Sequence, residues 1–218
     1  MPMATLAPFI PTGANLTAML VVICFSAGLN VYATVAMLGL LARAQVLALP
    51  QGLHAAESWT VISICCALFL VEFFGDKIPV FDLLWNALQT FVRVPVAGIL
   101  TYAATPQLPE GPRLLATLLG AAIALAAHGG KLAARAAVTH SPEPFSNAAL
   151  SLGEDGLVVF LTWFMAHDPV AAAAIAVAGL AIVVLAIRFV ARAIRRLFRG
   201  SEEAIASRAQ AAPAPGTH

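Results

Sequence analysis

Two stretches of this sequence place polar and charged residues on one helix face within otherwise apolar surroundings. In the first, Asp82, Asn86 and Thr90 recur at i, i+4 and i+8, with Gln89 and Arg93 close to the same line. In the second, Glu143, Asn147, Ser151 and Glu154 repeat the pattern, with Asp155 beside Glu154. Residues at that spacing stack on one side of an α-helix, so each stretch predicts a polar stripe. Carboxylates, amides and a guanidinium in such a line can bind an ion or orient a small solute, and a desolvated carboxylate can exchange protons. The expected pathway residues are these two sets together with Glu72, which sits a turn deeper than Asp76, and Asn30. Ser26, Asn30 and Thr34 form a further stripe that either bonds helix to helix or lines the same pathway. Asp76, Lys77 and Lys131 are expected to form a structural charge cluster. His128 stands without a second His or Cys at metal spacing, so a packed, hydrogen-bonded ring is expected, and neither a metal nor a cofactor.

The two stripes read as copies of one unit. DLLWNALQTFVRVPVAGILTY, from Asp82, aligns at constant offset with EPFSNAALSLGEDGLVVFLTW, from Glu143, and FFGDK upstream of the first matches AHGGK upstream of the second, pairing Lys77 with Lys131. The alternative is chance likeness between two Ala/Leu-rich segments. Taken as a repeat, the pattern predicts two related hairpins, about 58–104 and 114–166, about an axis along the membrane normal, one of the symmetries transporters use. Pro79 before the first stripe and Pro142 and Pro144 before the second predict a broken or re-entrant entry to each helix. The alignment sets Arg93 opposite Glu154. An unpaired charge at mid-membrane costs at least about 2.5–3.5 kcal/mol on insertion scales, so these two are expected to pair across a central site.

Composition supplies the elements that must hold such groups. The chain of 218 residues is 61% hydrophobic and 11% charged, with mean hydropathy +0.89; soluble domains carry roughly 25% charged residues. The expected fold is an all-α integral membrane protein of about six transmembrane helices. These fall near Leu16 to Leu41, Ser58 to Phe74, Leu83 to Ala104, Leu114 to Ala134, Asn147 to Ala166 and Val170 to Phe189. Residues 1–15 form a short leading segment without the charged region of a signal peptide, and residues 191–218 a basic juxtamembrane helix and a disordered tail. Cys24, Cys65 and Cys66 lie in apolar runs and read as small hydrophobes. Arg188, Arg192, Arg195, Arg196 and Arg199 place the C-terminal end in the cytoplasm, and an even number of spans returns the N-terminal end there as well. Trp59, Tyr102 and Trp163 are expected as interface anchors at the outer ends of their helices.

The run VEFFGDKIPVFDLLWNALQTFVRVPVAGIL, preceded by NVYATVAMLGLLAR, resembles an uncharacterised bacterial inner-membrane family known as domain of unknown function 4126. Glu72, Asp76, Lys77, Pro79 and Asp82, then Gln89, Arg93 and Pro95, carry the likeness. The resemblance implies a multi-pass protein of the bacterial inner membrane and supplies no activity. From the residues, the leading expectation is a small transporter or channel. The alternatives are an intramembrane enzyme on a lipid substrate, for which no GxSxG or HExxH motif appears, and a non-catalytic scaffold. The expected partners are the bilayer, a second copy of the chain and a small solute, ion or lipid-linked anion. No basic patch with interleaved aromatics points to nucleic acid.

Overall fold

The computed structural model describes residues 11–76, 78–138 and 144–211. α1 (Ala14–Leu29) and α2 (Val31–Arg43) are separated by the single residue Asn30, and a short 3-10 helix (Gln51–Glu57) leads into α3 (Trp59–Gly75). α4 (Pro79–Ala104), α5 (Glu110–Val138), α6 (Pro144–Met165) and α7 (Pro169–Ala211) follow. Four helical stretches, Leu84–Ala104, Glu110–Arg135, Ala148–Met165 and Pro169–Phe189, are long and apolar enough to cross a membrane, or five if the bent pair of the 3-10 helix and α3 counts as one.

The expected single span from Leu16 to Leu41 is not one helix. Asn30 is extended, with φ −153° and ψ 101°, and it reverses the chain. Thr12, Gly13 and Leu16 share a cavity of about 430 Å³ with Leu49, Gln51 and Gln107, which fixes one end of the bundle, here the upper. From there α1 descends beside α4, with Cys24 Sγ 3.2 Å from Thr101 Oγ1 and the Gly28 carbonyl near Arg93. α2 then climbs back to the same end: Arg43 donates to the Glu57 carbonyl at 3.0 Å and lies over the Trp59 ring, 4.4 Å from its centre. At about 1.5 Å per residue, the 16 residues of α1 and the 13 of α2 each reach about 20–24 Å, short of a hydrocarbon core of about 30 Å. The two form a hairpin that enters the bundle and returns to the same end, re-entrant with respect to the bundle, with its tip at Asn30.

α3 to α7 run alternately down and up the full bundle. α3 ends and α4 begins at the lower end, and α6 to α7 turns at the upper end. α1 packs against α4, α5, α6 and α7, while α2 lies against α3 and α6. The arms of the α3–α4 hairpin, and of the α5–α6 hairpin, touch little because the re-entrant hairpin fills the space between them. α1 suits the centre because its residues are apolar on every side, as a fully buried helix requires. Met19, Val22, Ile23, Cys24 and Phe25 are all enclosed. The outer surface is the reverse of a soluble protein's, with Leu84, Leu88, Phe91, Leu115, Leu118, Ile182, Leu185 and Phe189 exposed.

The proline expectation also needs correction. Pro79 is the first residue of α4, where its missing N–H costs nothing, and Pro144 is the first residue of α6. Pro142 lies outside the described residues. The re-entrant element is at Asn30, where there is no proline. Trp59, Tyr102 and Trp163 do sit exposed at the upper ends of α3, α4 and α6, and Arg113 lies over the Tyr102 ring at 3.5 Å. α7 continues without a break to Ala211.

The seat of the hairpin tip depends on Gly28. A Cβ there would fall 2.5 Å from the Ala124 carbonyl oxygen and 2.8 Å from Ala127 Cβ, both on α5. Gly28→Ala gains about 1 kcal/mol of helix propensity but forces α1 off α5, an overpacking that costs about 1–3 kcal/mol. Thermal unfolding of the purified protein is expected to show a net loss, whereas Gly153→Ala, with nothing within 4 Å of the new methyl, is expected to be neutral or stabilising.

Candidate functional site

Breaking a helix in the middle of a bundle leaves backbone groups without partners: the last carbonyls of the first half and the first N–H groups of the second. The carbonyls of Gly28 and Leu29 end α1, where the helix dipole is negative, and they meet two cations. Arg93 Nη1 donates to the Gly28 oxygen at 3.2 Å, and Lys131 Nζ to the Leu29 oxygen at 3.3 Å. At the start of α2 the Asn30 side chain caps the helix, its Oδ1 accepting from the Ala33 N–H at 3.0 Å. Its Nδ2 donates to Asp155 Oδ1 at 2.9 Å, which brings a carboxylate to the positive end of α2. The break thus sorts the charges around it by sign.

The cations extend into a buried network spanning α3, α4, α5 and α6. Arg93 Nη2 donates to Glu72 Oε1, which also accepts from Lys131 Nζ at 3.1 Å. Lys131 lies 3.3 Å from Asp76 Oδ2 and 3.5 Å from Glu154 Oε2. Arg135 Nη2 bridges the same two acids, at 2.7 Å to Asp76 Oδ2 and 2.9 Å to Glu154 Oε2. Ser151 Oγ donates to Asp76 Oδ2 at 3.4 Å. The side chains of Glu72, Asp76, Arg93 and Lys131 are fully enclosed.

A neutral flank lies on α4. Gln89 Nε2 donates to the Tyr32 hydroxyl at 3.0 Å. Arg93 Nη1 is 3.0 Å from His128 Nδ1, and a guanidinium only donates, so Nδ1 accepts and the ring proton is on Nε2. Nε2 faces the Asn86 carbonyl at 3.1 Å and Thr90 Oγ1 at 2.9 Å. His128 is thus a packed, hydrogen-bonded ring.

The structure brings together most of the residues singled out in the sequence. Glu72, Asn86, Gln89, Arg93, Ser151, Asp155 and Asn30 are buried around one level, and Glu154 is nearly so. Asp76 and Lys131, expected as a structural cluster, belong to the same network. Asp82 and Asn147 lie in α4 and α6, their side chains outside the described residues, as are Lys77 and Glu143 altogether. The expected Arg93–Glu154 pair does not form. Arg93 is bonded to Glu72, and Glu154 to Arg135 and Lys131, because α1 stands between the arms that were to face each other.

Arg135, Tyr32 and the two α1 carbonyls were not anticipated. His128, Lys131 and Arg135 at i, i+3 and i+7 do lie on one helix face, a signal that marks α5 as the basic wall; nothing in the sequence marks the carbonyls. The two helix pairs oppose each other in charge. α3 contributes acids and α4 a base, whereas α5 contributes bases and α6 acids.

Satisfaction is incomplete at a few atoms. Glu72 Oε2, Gln89 Oε1, Arg93 Nε and Asp155 Oδ2 are buried without a hydrogen-bond partner. Among the described residues, four carboxylates, Glu72, Asp76, Glu154 and Asp155, face three cations, Arg93, Lys131 and Arg135, one negative charge in excess.

Removing one member of a buried ion pair strands the other and costs about 3–5 kcal/mol; Lys131 still compensates Glu72, so Arg93→Met is expected to lose about 3 kcal/mol, the lower end. In double-mutant cycles with Glu72→Gln and Glu154→Gln, the Arg93–Glu72 coupling is expected to exceed that of Arg93–Glu154. Equal couplings would remove Glu72 as the partner of Arg93.

No curated protein and no solved structure matches the chain. Residues 17–191, which hold all but the first three residues of the hairpin and every residue of the network, match the family model described as a domain of unknown function (DUF4126), and the chain belongs to that family.

Proposed function

We propose that this chain is a small membrane transporter or channel, built of five crossing helices and one re-entrant hairpin, with the buried network as its substrate or ion site. The observation that carries the reading is the hairpin tip at Asn30, irregular backbone deep in an apolar bundle, docked on a charged cluster. Irregular backbone at membrane depth is stable only where protein or a water-filled cavity satisfies it, and broken helices whose ends hold ions and polar groups are how many transporters form their sites. The apolar outer surface supports the membrane assignment. In this reading the lower end, with Arg188, Arg192, Arg195, Arg196 and Arg199, is cytoplasmic, while Arg43 and Arg113 lie on the far side. The segment entering α1 then also lies on the far side, so the even count of spans gives way to an odd one. The charge count is blind to this difference because no charged residue precedes Arg43.

Arg93 already has three partners, and among the described residues the acids of the network outnumber its cations by one. Both features favour a cation or a proton-coupled solute over a lipid-linked anion held by Arg93. A second reading, a scaffold whose charges only hold helices together, draws support from how many of those charges satisfy one another.

Two measurements test these statements. In a background lacking Cys24, Cys65 and Cys66, single cysteines at Thr12, Gln51 and Gln107 are expected to react with a membrane-impermeant reagent from one side, and a cysteine at Ser201 from the other. Thr12 reacting with Ser201 from one side would restore an even number of crossings. Thermal unfolding against a panel of ions, small metabolites and phosphorylated lipids is then expected to show stabilisation by one class, about 2.7 kcal/mol at 100 times its Kd, lost in Glu72→Gln. Uniformly lower stability of that variant with no ligand response from either protein favours the scaffold.

A further inference from the structure

Of the four acids in the network, Asp155 alone has no cation within ion-pair distance among the described residues. Glu72 meets Arg93 and Lys131, and Asp76 and Glu154 both meet Lys131 and Arg135. The bond of Asp155 is to Asn30. Its second oxygen, Oδ2, is buried and unpartnered, and the residue is 6% exposed. The groups acting on it are Asn30 at the hairpin tip, Lys131 on α5, and Glu72 and Asp76 on α3. On α6 itself, Glu154 is taken by α5; on α2, Tyr32 is bonded to Gln89; α7 carries no charged residue before Arg188.

We propose that Asp155 is the group on which the network takes up and releases one proton, and that Asn30 transmits this to the re-entrant hairpin. The inference deepens the transport reading and rests on it for its purpose, though not for its chemistry. A proton matches the one acid that meets no cation among the described residues. A hard metal cation asks for several oxygen ligands, and no three of His, Cys, Asp and Glu converge on a metal position among the described residues. The step is a transfer from hydronium: an O–H bond forms at Oδ2, one O–H bond of hydronium breaks, and water leaves. Asn30 then donates to a neutral acid in place of a carboxylate, a bond roughly half as strong, and the positive end of α2 loses its anion. The tip is thereby loosened from α6 while the cations on the α1 carbonyls stay in place.

The full chain in detergent is followed by infrared difference spectroscopy across pH. A protonated-carboxyl C=O band is expected that is absent in Asp155→Asn and kept in Glu154→Gln. In Asn30→Ala it is expected to move to higher frequency, because that carbonyl loses a hydrogen bond; this variant keeps the carboxyl and serves if Asp155→Asn does not assemble. A band that survives Asp155→Asn, or is unmoved by Asn30→Ala, overturns the proposal. So does a band removed by sodium chloride, but not choline chloride, at constant pH.

Vesicles of phosphatidylethanolamine and phosphatidylglycerol with an entrapped pH dye separate this proposal from the transport reading. Proton flux under an imposed gradient is expected for the native chain and not for Asp155→Asn. Flux that persists in Asp155→Asn sinks the proposal and leaves transport standing, whereas an Asp155-dependent band without any flux upholds the proton site and removes uncoupled proton conduction, and with no response to the ligand panel it sinks transport.

Discussion

The arrangement turns on the break in the backbone at Asn30. A helix ending inside an apolar bundle exposes carbonyls that water cannot reach, and each would cost about 1–3 kcal/mol left bare. Here Arg93 and Lys131 meet the carbonyls of Gly28 and Leu29. Those two cations in turn cannot be buried alone, which calls for Glu72 and Asp76 on α3 and Glu154 on α6. The network is the consequence of burying a hairpin tip, and the tip is tolerated because of the network. Neither would be stable without the other.

The same dependence explains how charge is spread over the helices. Acids and bases three or four residues apart on one helix would pair along that helix; here every wall of the site carries mainly one sign, so each charge finds its partner on another helix and the pairs tie the helices together around the tip. α3 and α6 supply carboxylates, and α4 and α5 supply cations. Lys131, with four acceptors within 3.5 Å, stands at the centre. A flexible ammonium with three rotatable donors suits that crowded position better than a planar guanidinium, which needs its acceptors in one plane. The guanidiniums take the flanks, where bridging geometry is available: Arg135 links Asp76 to Glu154, and Arg93 links Glu72 to the end of α1.

What the sequence disclosed follows from what periodicity can carry. The stripe of Asn86, Gln89 and Arg93 and the positions of Ser151, Glu154 and Asp155 were legible because spacing of three to four residues marks a helix face whatever that face touches. The five long helices were legible from apolar length. The hairpin was not, since residues 16–41 are mostly apolar and carry no charge, and neither hydropathy nor charge asymmetry distinguishes one crossing from a descent and return. Asn30 alone signalled the break, and an Asn within an apolar run reads equally well as a helix-to-helix hydrogen bond. The Arg93–Glu154 pairing failed for the same reason: predicted from the symmetry of two hairpins, it took no account of a third element standing between them.

The two parts of the hairpin are held by different forces. α1 is enclosed by four helices through apolar contacts and the close approach of Gly28 to α5, so moving it would expose Met19, Val22, Ile23 and Phe25 together. α2 packs against α3, α6 and the 3-10 helix, and its lower end is tied by polar bonds, the Asn30 cap on Ala33 and the Asn30 bond to Asp155. Asp155, which meets no cation among the described residues, lies on the α2 side of the tip, while the cations that meet the α1 carbonyls lie on the other. A change in the charge of α6 therefore acts on the polar ties of α2 and leaves the apolar seat of α1 in place.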